Sequence, residues 1–330
     1  MARNLITDVA GVRVGHADNA TLGSGTTVIV FDQPAIASAD LGGGAPGTRE
    51  SALLDPSMTV ERIDAIVLSG GSAFGLDAAS GAQAWLREQG RGFRVREAVV
   101  PIVPAANLFD LLNGGDKSWG RYPPYREFGY QACSAAAESF ALGSVGAGLG
   151  ATTVDLKGGL GSASAMTRSG ITIGALATVN AVGSAVIGGG PHFWAAPFER
   201  DKEFGGHGLP AFVDPKALAF RGKGQPGENT TLVVVATDAI LTKPQVQRLA
   251  IMAQDGLARA LRPVHTPLDG DIVFAAATGT RPLPEPIYAF SELGALAADV
   301  VARAIARGVF EARALPFAGA LPAWRDRFTR

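Results

Sequence analysis

The chain is organised around one stretch, Gly227-Glu228-Asn229-Thr230-Thr231-Leu232-Val233-Val234-Val235-Ala236-Thr237-Asp238. A continuous β-branched run that follows turn signals is typical of a strand covered on both faces. Residues 189–229 before it contain Pro, Gly, Lys and Gln with no convincing period, which predicts an exposed loop open to proteolysis or self-cleavage. Thr230 and Thr231 are therefore expected where a loop enters a buried strand.

Two interpretations of this Thr-Thr pair are open. β-branched residues often begin a strand, so the pair can be purely structural. A hydroxyl at such a junction also suits an N-terminal nucleophile, provided that the chain is cut just before it. A short catalytic motif is a hypothesis until its surroundings agree with it, so the rest of the chain has to decide.

The composition indicates a globular protein with closely packed elements. The chain has 330 residues, enough for a sizeable core, and 47% of them are hydrophobic. Its 43 glycines favour tight turns and close helix-to-sheet packing. The formal net charge of -1 includes no basic run, which argues against nucleic acid and anionic membranes as partners. We expect a cytoplasmic protein, since we find neither a signal-peptide core nor about 18 consecutive apolar residues.

Metal and redox chemistry find little support in the sequence. Cys133 is the only cysteine and the four histidines form no ligand-spaced pair, so we expect no metal and no cofactor. Cys133 could be a nucleophile, but its position in an apolar helical run favours a packing role.

The order of elements favours one domain, residues 1–330, of the α/β (α+β) class. Strands are predicted at 25–31, 63–69, 171–183 and 272–277, and helices over 76–88, 128–142, 244–261 and 291–306. This order lacks a regular crossover unit, which favours helices outside stacked sheets over a doubly wound parallel sheet. The glycine-rich segment 40–47 predicts either a turn or the wall of a site.

Polar residues accumulate at predicted strand ends: Lys157 with Asn180, Thr230 with Thr231, and Asp269 with Asp271. In an extended Asp269-Gly270-Asp271 the two carboxylates project to the same face. Two close carboxylates do not both ionise readily, so one holds a proton or is neutralised by a cation such as Lys157. The alternative is an Asp-Gly turn with solvated acids.

Six short segments spread over nearly the whole chain carry a family resemblance: ITDVAGVRVGH (6–16), GGSAFGLD (70–77), VPAA (103–106), VNAVG (179–183), ATD (236–238) and DGLARA (255–260). Together they resemble the P1 peptidase family of self-processing N-terminal-nucleophile hydrolases, which includes β-peptidyl aminopeptidases and nylon-oligomer hydrolases. The Asn-Thr-Thr sequence with Asp-Gly-Asp downstream is most similar to the nylon-oligomer hydrolase branch.

The resemblance implies a four-layer αββα sandwich, the N-terminal-nucleophile-like self-processing fold. It implies cleavage between Asn229 and Thr230 into a large subunit, 1–229, and a small subunit, 230–330, with Thr230 as the nucleophile. It also implies a homo-oligomer of cleaved α/β protomers that acts on a small-molecule or short-oligomer amide. We expect amide hydrolysis in amino-bearing oligomers such as those of 6-aminohexanoate. The alternatives are a β-peptidyl or D-amino acid aminopeptidase, an acyl transferase, and an unprocessed paralogue that binds small molecules.

The resemblance also assigns the remaining site residues. It makes Asp269 and Asp271 the carboxylate relay, Lys157 the cation of the site, and Asn180 the group that orients the oxyanion or the substrate amine. Tyr125, in a predicted loop over 113–126, is matched to an oxyanion or substrate-binding tyrosine.

Two positions depart from the family pattern. Ser184 stands where a carboxylate is expected after VNAVG, and Gln254 stands where a histidine is expected before Asp255.

Overall fold

The computed structural model describes residues 2–223 and 229–329, so Gly227 and Glu228 of the organising stretch, and 224–228 of the predicted loop, lie outside the described residues. The strands are β1 Val12–Asn19, β2 Ser24–Leu41, β3 Thr48–Arg49, β4 Arg62–Ser69, β5 Phe93–Val95, β6 Ala98–Val100, β7 Ala105–Asn107, β8 Gly159–Met166, β9 Thr172–Asn180, β10 Thr230–Ala239 and β11 Ile272–Arg281. The α-helices are α1 Ala78–Glu88, α2 Tyr125–Ser134, α3 Lys243–Ala260, α4 Pro286–Phe310 and α5 Trp324–Phe328.

The strand β2 is long enough to belong to two layers of sheet. Its first half pairs with β1 and β4, and its second half, from Ile36 to Leu41, pairs with β11. The register with β4 shifts between Val30 and Ala35, around Pro34, where the missing N–H interrupts a regular ladder. The sheet order is therefore β3-β7-β4-β2-β11-β10-β9-β8, with β1 on the outside of β2.

Three hydrophobic clusters separate four layers. Outer-face residues of β2 and β4 pack with α1 and α2, and those of β9, β10 and β11 pack with α3 and α4. Between them the opposite faces meet, where Ile29 and Phe31 of β2 join Val234 of β10 and Phe274 of β11. Successive residues of a strand point to opposite faces, so each central strand is apolar throughout. The predicted αββα arrangement is confirmed.

The strand β10 lies in the centre of this arrangement. All ten of its residues are buried, and it pairs antiparallel with β9 and parallel with β11. The continuous β-branched run thus forms the doubly covered strand that it predicts.

Two elements differ from the sequence-based expectation. The helix predicted over 128–142 is Tyr125–Ser134, because Ala137 leaves it and exchanges two backbone hydrogen bonds with Val14 of β1. Residues 5–15 alternate apolar and polar residues with glycine punctuation, a pattern that predicts a strand, a turn and a second strand. Only the second is a strand, since Ile6–Asp8 forms a 3-10 turn.

Among the described residues, none of the helices combines the length and the apolarity that crossing a bilayer requires.

Candidate active site

Thr230 begins β10 and lies directly opposite Asn180, the last residue of β9, in the antiparallel register. Its side chain is nearly buried, and its hydroxyl donates a hydrogen bond of 2.5 Å to the backbone oxygen of Asn229. The sequence therefore places this hydroxyl against the peptide bond that precedes it, at the end of a rigid strand.

Asn229 is held on both its backbone and its side chain. Its carbonyl oxygen accepts a second hydrogen bond, 2.8 Å long, from the backbone N–H of Gly270. Its side-chain amide donates to the backbone oxygen of Lys223 at 3.1 Å, and the whole residue is buried. The Asn229–Thr230 peptide is consequently fixed between the strand ends of β9 and β11.

The two aspartates just before β11 are buried and bind neighbouring segments. Asp269 accepts from the backbone N–H of Val182 at 3.1 Å, and from the N–H and hydroxyl of Thr266 at 2.9 and 2.8 Å. Burial and the charge of Asp271 raise the pKa of Asp269. The expectation that one carboxylate of the pair is driven towards its protonated form is consistent with this direction.

Asp271 connects the nucleophile strand to a histidine. One of its oxygens accepts from the backbone N–H of Thr231 at 2.7 Å, and the other accepts from the N–H and Nδ1 of His265 at 3.2 and 2.9 Å. Burial lowers the pKa of His265, but the hydrogen bond and charge of Asp271 outweigh it and raise the pKa overall. Asp271 is therefore paired with His265, which the sequence reasoning did not assign to the site.

The glycine-rich segment 42–47 forms the wall behind these aspartates. The N–H groups of Gly42 and Gly43 donate to the backbone oxygen of Asp271 at 3.0 and 3.1 Å, and that of Ala45 donates to the backbone oxygen of Asp269 at 2.8 Å. A Cβ on Gly43 would lie 2.4 Å from the Asp269 oxygen, so no larger residue fits without a shift. The segment therefore folds back onto both aspartates through its backbone, and its role as the wall of a site stays a prediction.

Lys157 is completely buried and donates to three backbone oxygens, those of Gly148, Ala151 and Gly158, at 3.0, 2.7 and 2.7 Å. Burial lowers its pKa to about 7, assisted by the charge of Lys223 and opposed by that of Asp110. Lys157 thus braces the loop 148–158 through three donated hydrogen bonds, and its burial makes it lose a proton more readily than an exposed lysine does.

Asn180 and Lys223 meet at the same strand end. The Asn180 side-chain oxygen accepts from the Thr152 N–H at 3.0 Å and from Lys223 Nζ at 3.1 Å, and its amide donates to the Phe109 oxygen at 3.1 Å. Lys223 Nζ also donates to the Thr152 hydroxyl at 2.6 Å. Lys223 was missed because it stands in an unpatterned segment, and only the fold brings it to Asn180.

Part of this set borders a cavity of about 320 Å³, whereas Thr230, Asn180, Asp269 and Asp271 are not among the residues that line it. Its lining includes Asn229, Lys157, Lys223, Thr152 and Asp110, together with apolar residues from 315–321. It has the size of a small-molecule site and offers both a carboxylate and cations.

Tyr125 is the first residue of α2 rather than part of a loop, because the chain turns into a helix directly after Pro124. Its ring is buried between Trp119 and Phe128, and its hydroxyl donates to the Ser24 hydroxyl at 3.0 Å. It is not among the residues that line the cavity, so its role in binding an oxyanion stays a prediction without support from this geometry.

The two departures from the family pattern have local partners. The Ser184 hydroxyl bonds with both oxygens of Asp155, at 3.0 and 3.1 Å, so a carboxylate lies beside this position although the sequence reasoning missed it. The Gln254 side-chain amide donates to the backbone oxygen of Asp40 at 2.9 Å and so connects α3 to the end of β2.

Cys133 is buried on the inner face of α2, where burial raises its pKa to about 12, as expected for a packing role.

Comparison with known proteins identifies the family of this chain by a profile match and adds relatives along most of its length. The sequence profile of peptidase family S58 matches residues 4–320. An uncharacterized aminopeptidase of Mycobacterium tuberculosis is 45% identical, over 98% of both chains. A 6-aminohexanoate-oligomer endohydrolase of Paenarthrobacter ureafaciens is 28% identical, over 84% of this chain and 76% of the other.

Solved structures agree on the fold. A Burkholderia sp. beta-aminopeptidase superposes with a TM-score of 0.72 at 24% identity, over 98% of this chain and 91% of the other. The L-aminopeptidase D-Ala-esterase/amidase from Ochrobactrum anthropi, described as a variant of the Ntn hydrolase fold, gives 0.71 at 22% identity, over 97% and 90%.

Proposed function

Since the chain belongs to peptidase family S58, we propose that it is an autoproteolytic N-terminal threonine amidohydrolase that cleaves amide bonds in small amino-bearing peptides or oligomers. The observation that carries the proposal is the Thr230 hydroxyl, which lies 2.5 Å from the oxygen of the Asn229 peptide, and Asn229 itself lines the cavity. In this proposal the chain is cut between them into 1–229 and 230–330.

The first reaction is an N-to-O acyl shift followed by hydrolysis. Thr230 Oγ1 adds to the Asn229 carbonyl carbon and gives up its proton, and the C–N bond then breaks as the Thr230 nitrogen takes a proton. Water hydrolyses the resulting ester, which leaves the Asn229 carboxylate and a free α-amino group on Thr230. The ordinary pKa of an α-amino group is about 7.7 to 8.0, so this amine is able to accept the hydroxyl proton when a substrate amide is attacked.

The remaining groups take supporting roles in the proposal. Asp271 holds the start of β10 through the Thr231 N–H, and Asp269 holds the segment after Asn180 through the Val182 N–H. Asn180, directly opposite Thr230, orients the substrate carbonyl or amine. The cleaved protomers would assemble as a homo-oligomer.

A second candidate substrate class is that of an aminopeptidase, favoured by the name of the relative that is 45% identical. An aminopeptidase requires the free amine next to the cleaved bond, whereas an endohydrolase of aminohexanoate oligomers cleaves internal amides. Comparison of 6-aminohexanoate oligomers and β-amino or D-amino acid amides, each with a free and an acetylated amine, separates the two. An added amine acceptor that yields a new amide would reveal transfer.

The test of the nucleophile is electrophoresis of the purified protein with N-terminal sequencing. We expect two fragments, the smaller beginning with Thr230, and a single 330-residue chain in Thr230→Ala. Thr231→Ala is the matched control, because the Thr231 hydroxyl has no hydrogen-bond partner among the described residues. This variant should still be cleaved. Cleavage in Thr230→Ala, or its loss only in Thr231→Ala, would contradict the assignment.

A further inference from the structure

The backbone N–H of Gly270 points at the peptide bond that the proposed function requires to break. It donates to the Asn229 oxygen at 2.8 Å, within the range of an oxyanion-hole donor. Asn229 and Asp269 form an isolated parallel β-bridge just before the strands β10 and β11. This backbone pairing fixes the direction of the Gly270 N–H.

The residue that carries this N–H has to be glycine. A Cβ at position 270 would lie 2.7 Å from Thr230 Oγ1 and 2.7 Å from the Ala45 oxygen. These contacts are closer than real Cβ atoms show, so a side chain here would displace either the hydroxyl or the wall segment. The same residue therefore leaves room for the nucleophile and directs a donor at its target.

Apart from the Thr230 hydroxyl, which is the attacking group, the side-chain donors predicted for the site bind other acceptors. The Tyr125 hydroxyl donates to Ser24, and the Asn180 amide donates to the Phe109 oxygen at 3.1 Å. All three short contacts of the Lys157 ammonium go to backbone oxygens. The Gly270 N–H is thus the backbone donor that already lies on the Asn229 oxygen in the ground state.

We propose that the Gly270 backbone N–H is an oxyanion donor for self-cleavage at Asn229, an inference that rests on the proposed function. When Thr230 Oγ1 bonds to the carbonyl carbon, the C=O electron pair moves onto the Asn229 oxygen. The N–H faces this growing negative charge and strengthens its hydrogen bond, which lowers the barrier more than it stabilises the starting peptide. Collapse of the intermediate restores the C=O bond as the bond to the Thr230 nitrogen breaks.

The test removes this N–H alone, by replacing Gly270 with glycolic acid so that the backbone amide becomes an ester. The full chain is made by cell-free translation with suppression at codon 270, and cleavage is followed by pulse-chase electrophoresis. We expect cleavage to slow by roughly 100-fold or more, the usual effect of losing one oxyanion donor.

A second ester controls for the weakened backbone. The ester at 270 also weakens the Asp269 oxygen, which accepts from the Ala45 N–H at 2.8 Å. Lactic acid in place of Ala45 removes that contact and leaves the Asn229 oxygen untouched, so this chain should be cleaved within a few-fold of the unmodified rate. Cleavage of the 270 ester at the unmodified rate, or equal slowing in both esters, would overturn the inference.

Two further measurements keep the outcomes separate. If the unmodified chain itself is not cleaved, the proposed function fails and the inference fails with it; if it is cleaved and only the ester result is negative, the proposed function survives. Should the ester chain not fold, deuterated Thr230→Ala is examined for a scalar coupling across the hydrogen bond, between the Gly270 nitrogen and the Asn229 carbonyl carbon. Its presence supports the geometry, and its absence refutes it.

Discussion

Replacing Asp271 with Asn should destabilise the fold through His265. The carboxylate is buried and accepts three hydrogen bonds, one from the Thr231 N–H and two from His265. An amide can keep the bond to Thr231 but presents an NH₂ group to His265, so the two remaining bonds are lost.

The size of the effect follows from those two bonds. Each is charge-assisted and contributes about 1.5 kcal/mol, the lower end of the usual range, because His265 is partly exposed and can turn to water. We therefore expect the free energy of unfolding to fall by about 3 kcal/mol. The measurement is urea denaturation in the uncleavable Thr230→Ala background, so that every variant is a single polypeptide with the same chain connectivity.

A double-mutant cycle isolates the contribution of the pair. Combining Asp271→Asn with His265→Ala should cost about as much as Asp271→Asn alone, because His265→Ala removes the Nδ1 bond and keeps the backbone N–H, so the coupling should be about 1.5 kcal/mol. The folded pKa of His265 is raised, so this coupling should be fully present below the unfolded pKa of about 6.5 and should disappear as the pH rises through the folded pKa. A coupling near zero at pH 6, or one that grows towards alkaline pH, would refute the reasoning.

Three further predictions concern other parts of the site and core. Burial lowers the pKa of Lys157 to about 7, whereas in the unfolded chain it is about 10.4, so between these pH values the lysine binds a proton only when the chain is unfolded. Urea titrations at a series of pH values should therefore show the free energy of unfolding rising with pH over this window, relative to Lys157→Met. Gly43→Ala places a methyl group 2.4 Å from the Asp269 backbone oxygen, so it should lower the free energy of unfolding by roughly 1–3 kcal/mol and slow self-cleavage. The control Gly90→Ala strains a backbone with a φ of +67° but brings the added Cβ near no atom, so it should leave cleavage unchanged. Cys133 should resist thiol reagents in the native protein and react fully in denaturant, because its thiol is buried and burial raises its pKa to about 12. Rapid labelling of the native protein would contradict the packing of α2 against the sheet.

The sequence was sufficient for the parts of the fold that depend on local pattern. The apolar run from Leu232 to Val235, β-branched at its three valines, specified a doubly buried strand. The apolar spacing in α3 specified a helix, since both patterns follow from burial on one or two faces. The stacked sheets followed from the order of elements. The full length of β2 could not be predicted in this way, because a proline such as Pro34 locally indicates the end of a strand, whereas the two sheet layers hold the chain extended on both sides of it.

The site was predictable only where residues lie near strand ends. Thr230, Asn180, Asp269 and Asp271 could be named from such positions, and the structure brings the strand ends together. Lys223 and Asp155 reach their partners through long-range packing that leaves no period in the sequence. The contact between Gly270 and the Asn229 oxygen is made by a backbone N–H, so the residue type at position 270 does not predict it.

The strand order has a consequence for what a cut at Asn229 could release. In the sheet, β10 and β11 lie side by side between β9 and β2, and both outer neighbours precede the cut. A small fragment beginning at Thr230 would therefore be hydrogen-bonded along both edges to the large fragment, through the β9–β10 and β11–β2 ladders. Its departure would open two ladders and separate α3 and α4 from β2, β8 and β9 at once, so the covalent break and the physical separation of the pieces are independent events. A protein cut in this way would behave in solution as one body with a new amino terminus inside it.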